Sequence, residues 1–214
     1  SKKHWQRSNR MATIRNKVSW ERAHIEREIY QELIEEMSER LAREIAPLTD
    51  AQVGQRPGPH LNPISYLVFH ILRSWERDLN HLILGQPQAE DAWHRLGLVE
   101  ETGFDPSGTG YNGWANGTGY TDEQVDGLPA GKGWLQRYHA ALMAETSAYL
   151  AGVNEDFDEF GREIHHENSP FNPFTPRWRL QHLITHSHRH IGDIQFVKGM
   201  LGMSDATYPG VVDE

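Results

Sequence analysis

The sequence has no cysteine among its 214 residues. Disulfides are thereby excluded, and so is a protein thiol acting as nucleophile or metal ligand. Any metal site must be assembled from histidine, carboxylates and water. Long apolar runs are missing too: none approaches the roughly 18 residues that a membrane-spanning helix needs. The basic stretch Ser1–Arg10 lacks the apolar segment of a signal peptide. Followed by Met11, it reads as a leader outside the fold, with a single helical domain expected over residues 11–214. Positive charge is in short supply, with 21 Lys and Arg against 30 Asp and Glu and a net charge of −9. Such a chain repels phosphate backbones, so a nucleic-acid partner is not expected; nor is a membrane one, and the chain reads as cytoplasmic. Strand-like alternation and internal repeats are absent as well.

What is present is helical periodicity in four long patterns. The first runs from about Thr13 to Ala46, with Ile25, Ile29, Leu33, Ile34, Met37 and Leu41 at helical spacing, and Pro47 beyond it. The second runs from about Asn62 to Leu84, with Asn62 as expected cap, Pro63 at the first helical position and Gly85 as stop. The third spans about Trp134 to Ala151 on a stripe of Leu135, Tyr138, Leu142, Thr146 and Tyr149. The fourth opens with Thr175 as cap and Pro176, and closes at Leu201 and Gly202. Residues 86–133 are glycine-rich, with a capping box at Thr121 and Gln124. Without a Gly-Lys-Ser/Thr motif or a βαβ context this stretch reads as a surface loop or lid, not a phosphate cradle. Four amphipathic helices imply an all-α four-helix bundle, and the long connections leave helices free to join other than as nearest neighbours.

Thirteen histidines supply the chemistry, four of them within His182–His190. His186 and His190 are four apart, which on a helix places their Cβ atoms roughly 5–6 Å apart on one face. Two imidazoles can then reach one ion, but a third ligand must come from another helix. His24, His70, His81 and His139 are the candidates. Spacing does not choose among them, and His70 lies off the mean apolar direction of its helix. Glu76, Asp78 and Asp193 stand near these positions and could accept the second ring N–H of a ligating histidine. Trp75, Trp178 and Tyr66 could line a pocket, although core packing explains such residues as well. A different reading is a di-iron carboxylate bundle, because Glu21-x-x-His24 and Glu163-x-x-His166 have the required spacing; the second pair falls in a Gly/Asn/Pro-rich segment.

Two segments carry a family resemblance. Ile64–Gly85, ISYLVFHILRSWERDLNHLILG, resembles the second helix of DinB-like metal proteins. His182–Gly202, HLITHSHRHIGDIQFVKGMLG, is similar to that family's last helix, in which two histidines four apart are followed by Gly, Gln and a closing Leu-Gly. His186, His190, Gly192, Gln195, Leu201 and Gly202 match in order, and the helix layout corresponds from about residue 13 to 202. The resemblance implies a DinB-like four-helix bundle holding one divalent ion through His70, His186 and His190. Zinc or nickel comes first, and iron and manganese also accept imidazole. It further implies kinship with mycothiol- and bacillithiol-dependent transferases and maleylpyruvate isomerases. The expected function is therefore a metal-dependent small-thiol S-transferase acting on a small-molecule substrate. A metal-dependent hydrolase and a non-catalytic metal-stabilised bundle are the alternatives. With no cysteine in the chain, the thiol must be a low-molecular-weight one from outside. The resemblance also implies a homodimer.

Overall fold

A computed structural model of the chain describes residues 2–153, 158–167, 169 and 171–203, with side chains from residue 22 onward. Its frame is four long helices: α1 (Lys2–Ile45), α2 (Ile64–Glu76), α3 (Lys132–Ala151) and α4 (Pro176–Met200). Short helical turns lie between them, and no strand occurs among the described residues. The all-α expectation holds. No helix among the described residues is long and apolar enough to cross a membrane.

α1 and α2 each pack against both α3 and α4, so α1 stands diagonal to α2, and α3 to α4. The connections 46–63 and 152–175 cross these diagonals, whereas 86–131 joins the neighbours α2 and α3. On α1 the buried stripe is Tyr30, Ile34, Met37, Leu41 and Ile45. Ile25, Ile29 and Leu33, expected to share it, are 53%, 47% and 38% exposed. They sit one residue before the true stripe, about 100° around the helix, and face away from the bundle.

Every residue of α2 except His70 is buried. A helix covered on all sides lies at the centre of its fold, and here the outer cover is the glycine-rich connection. That segment was expected to be a surface loop or lid. Instead its middle joins the core. Trp93 is fully buried, edge-on to Phe69 and Tyr138 with ring centroids 5.5 Å from each. Ala115 and Asn116 are buried against α2.

The helix starts are set by local chemistry. Thr175 caps α4 by accepting the Trp178 N–H, with Pro176 at the first position. Thr121 and Gln124 form the expected capping box. On α2 the cap position falls to Pro63, with no side-chain bond, and not to Asn62. Beyond Glu76 the helix widens into a π-helical stretch, Arg77–Ile83, entirely buried. Such i→i+5 turns are uncommon and concentrate at functional sites.

Candidate metal centre

α2 and α4 are neighbours in the bundle, and their contact brings His70 against His186 and His190. One ligand atom from each of the three lies within 4.8 Å of the other two, the single such group of three among the described residues. His70 Nε2 and His186 Nε2 are 3.1 Å apart. The ring centroids are 4.9 Å (His70–His186), 4.8 Å (His70–His190) and 4.5 Å (His186–His190) apart.

The outer ring nitrogens fix two of the orientations. His70 Nδ1 donates to the main-chain carbonyl of Asn116 at 2.6 Å. His190 Nδ1 donates to Asp193 Oδ2 at 2.8 Å. With Nδ1 carrying the proton, the Nε2 lone pair is left for a cation, the usual arrangement of a ligating histidine. His186 Nδ1 is buried without a hydrogen-bond partner among the described residues, and its ring stacks on His182 at 5.4 Å. Arg189 Nη2 stands 3.4 Å from His190 Nε2, a contact that a bound cation would displace. Burial keeps the rings neutral. It lowers His70 to about 4 and, with the neighbouring imidazoles, His186 to about 2; His190 is lowered as well, again chiefly by burial. Neutral imidazole is the ligating form, so the residues present fit a divalent ion.

Of the three carboxylates considered as outer partners, Asp193 takes that role. Asp78 instead receives His182 Nδ1 at 2.7 Å, and Arg77 Nη2 at 3.0 Å. Glu76 belongs to a buried cluster: Arg73 Nη1 donates to Glu76 Oε2 at 2.7 Å and to Asp91 Oδ2 at 2.6 Å. Tyr138 Oη and the Ala92 N–H also donate to Glu76. Arg73 Nε donates to the Ala115 carbonyl at 2.8 Å, next to the residue that holds His70. The sequence reading missed Arg73, Asp91 and Asn116. Asn116 acts through its main chain and leaves no side-chain signal. Arg73 could have been noticed as a charge one turn from His70 on a wholly covered helix.

The other histidine candidates lie elsewhere. His139 Nε2 meets Ser38 Oγ at 2.8 Å, His24 pairs with Glu28 on α1 at 3.2 Å, and His81 sits in the π-helical stretch. Trp75 is core, its indole N–H donating to Thr146 Oγ1 at 2.8 Å. The di-iron reading gains no cluster: Glu163 is exposed and outside any long helix, and the side chain of Glu21 lies outside the described residues.

Gly117 ties the connection to the site. Its φ is +89°, and a Cβ there would meet the Tyr66 ring at 3.2 Å, while Tyr66 Oη donates to the Gly117 carbonyl at 2.9 Å. Gly117→Ala is expected to push Asn116 off His70 and weaken metal affinity about tenfold, the lower range for loss of an outer partner. A competition titration against a chromophoric chelator measures this; unchanged affinity would show that the Asn116 carbonyl does not matter to the site.

Comparison with known proteins agrees with this architecture. The crystal structure of a conserved protein from Enterococcus faecalis superposes with a TM-score of 0.66 at 21% identity, over 83% of this chain and 97% of that one, a likeness of fold. No curated protein matches. The family model of the DinB superfamily matches residues 33–194, which include all three clustered histidines. The chain therefore belongs to the DinB superfamily.

Proposed function

We propose that His70, His186 and His190 bind one divalent metal ion, zinc or nickel foremost, and that the protein is a metal-dependent S-transferase using a low-molecular-weight thiol. The observation that carries the metal assignment is the convergence of three imidazoles, two of them with Nδ1 tied to an oxygen acceptor. Three neutral ligands leave an ion its full charge and an open position, where it would lower the pKa of a bound thiol toward neutrality. The chain supplies the rest. α2 and α4 hold the imidazoles, while the Asn116 carbonyl and Asp193 fix their rings. With no cysteine, no side-chain thiol competes for the position.

Cobalt substitution tests the thiol step. Titration of the cobalt form with bacillithiol, mycothiol and glutathione is expected to yield an intense near-ultraviolet cobalt–thiolate band with at least one of them. If none does, while hydroxide or a carboxylate shifts the visible spectrum, the open position takes water and the hydrolase or non-catalytic reading replaces the transferase.

A homodimer is also proposed. Ile25, Ile29 and Leu33 form an exposed apolar row at i, i+4, i+8 on α1, and a second copy would cover it. Light scattering at micromolar concentration is expected to give about twice the 24.6 kDa chain mass; the monomer mass refutes it.

A further inference from the structure

Beside the histidine cluster lies a cavity of about 420 Å³. Two of its lining residues adjoin that cluster, one through a ring contact and one through the chain. His182, one turn before His186, lines it, as does Trp114, two residues before Asn116. The described lining includes two arginines and three histidines and no carboxylate. On a chain of net charge −9 that is a local reversal of sign.

The two arginines converge. Arg77 Nη2 is 3.0 Å and Arg179 Nη1 3.5 Å from the same Asp78 oxygen, and Asp78 is buried beneath them. Among the described residues, two guanidiniums against one carboxylate leave roughly one positive charge unanswered. Arg77 also lies over the Trp114 ring, 4.8 Å from its centroid. Arg179 donates to Ser169 Oγ at 2.8 Å and lies over Phe174 at 4.4 Å. Its Nε is buried with no hydrogen-bond partner among the described residues. His81, another lining residue, is 7% exposed, and its Nε2 is likewise buried without a partner among the described residues. Buried polar atoms without partners are uncommon in a folded protein. Both atoms belong to residues that line the cavity, beside a charge excess that an anion from outside would answer. The π-helical stretch is what places Arg77, Asp78 and His81 together.

We propose that this cavity binds a small organic monocarboxylate with an apolar body, its carboxylate received at Arg77 and Arg179 beside His81. One surplus positive charge matches a monoanion better than a dianionic phosphate. Trp114, Phe171 and Leu82 supply apolar wall for the body. In line with this, burial and the neighbouring Arg77 pull the Arg179 guanidinium down to about 10, against the pull of Asp78, so that an arriving anion would relieve it. As a statement about substrate the inference rests on the metal-centred reading above; as a statement about binding it does not.

Calorimetric titration of the protein as purified, with benzoate as probe, tests it. Benzoate is expected to bind with a submillimolar dissociation constant, and neutral benzamide and inorganic phosphate at least tenfold more weakly. Arg179→Gln and Arg77→Gln are each expected to weaken benzoate at least tenfold, while His190→Ala leaves it within twofold. Equal affinity for benzoate and benzamide overturns the proposal, as does phosphate binding tighter than benzoate. So does benzoate affinity unchanged in both arginine variants. Loss of benzoate binding in a folded His190→Ala protein places the carboxylate on the metal and overturns the cavity assignment. If neither arginine variant folds, the comparison of benzoate with benzamide on the wild type decides alone. A wild type that carries no metal yet binds benzoate sinks the metal reading and leaves this one standing.

Discussion

Protein purified without a histidine tag or added metal is expected to carry close to one equivalent of divalent ion per chain, and His186→Ala less than a tenth of one. The three ligand atoms lie within 4.8 Å of one another and come from two helices locked into the bundle, so little reorganisation stands between the fold and the bound state. Removing His186 leaves two imidazoles and should cost more than the 10- to 100-fold that loss of an outer partner costs. His188→Ala is the control, because that ring lies outside the cluster on the same helix. Protons compete with metal for imidazole. Burial holds His70 at about 4 and His186 at about 2, below the usual 6.5, so that competition sets in late. Metal is therefore expected to survive dialysis at pH 6 and to leave as the pH falls below about 5. Elemental analysis across that series decides the matter: equal metal in wild type and His186→Ala removes the assignment.

The ease with which parts of this architecture were read from sequence follows from where information is stored. α4 was legible because its signals are local: the Thr175 cap, Pro176, the i, i+4 histidines and the closing Gly202. Leu135, Tyr138, Leu142 and Thr146 on α3 face the core as their spacing required. α2 was legible as a helix but not as a surface. Its period suggested one buried face, whereas all of it except His70 is buried, because the connection that follows it folds back over it. His70 looked displaced from the apolar direction for that reason. Its identity as the third histidine came from resemblance, since spacing left His24, His81 and His139 equally open. The Asn116 carbonyl was illegible in principle, because any residue has one. The row Ile25, Ile29, Leu33 was misplaced by a single residue step on a helix with apolar side chains on two adjacent strips.

Arg73→Met is expected to destabilise the fold by about 3–5 kcal/mol, the range for removing one partner of a buried ion pair. Arg73 is 1% exposed and stands between Glu76 and Asp91, both fully buried. Methionine fills much of its volume, so the loss isolates charge and hydrogen bonding from packing. Two carboxylates would then share a dry site without a cation, while the Ala115 carbonyl would lose its donor. The deficit should depend on pH with a definite sign. Burial already pushes Glu76 up to about 7 despite the lowering influence of Arg73, from an ordinary value of 4.5. A carboxyl group whose folded pKa is raised stabilises the fold below its unfolded value and loses that contribution as the pH rises through the folded value. Without Arg73 the folded pKa of Glu76 climbs further, so the variant's deficit is expected to be larger at pH 8 than at pH 5.5. Urea unfolding of both proteins at the two pH values measures the difference, and titration of histidines common to both cancels. A deficit under about 1 kcal/mol at both pH values would show that water or a rearranged side chain replaces the guanidinium. A full deficit should also weaken metal binding in the folded fraction, because Arg73 holds the carbonyl of Ala115 and the next carbonyl in the chain, that of Asn116, orients His70.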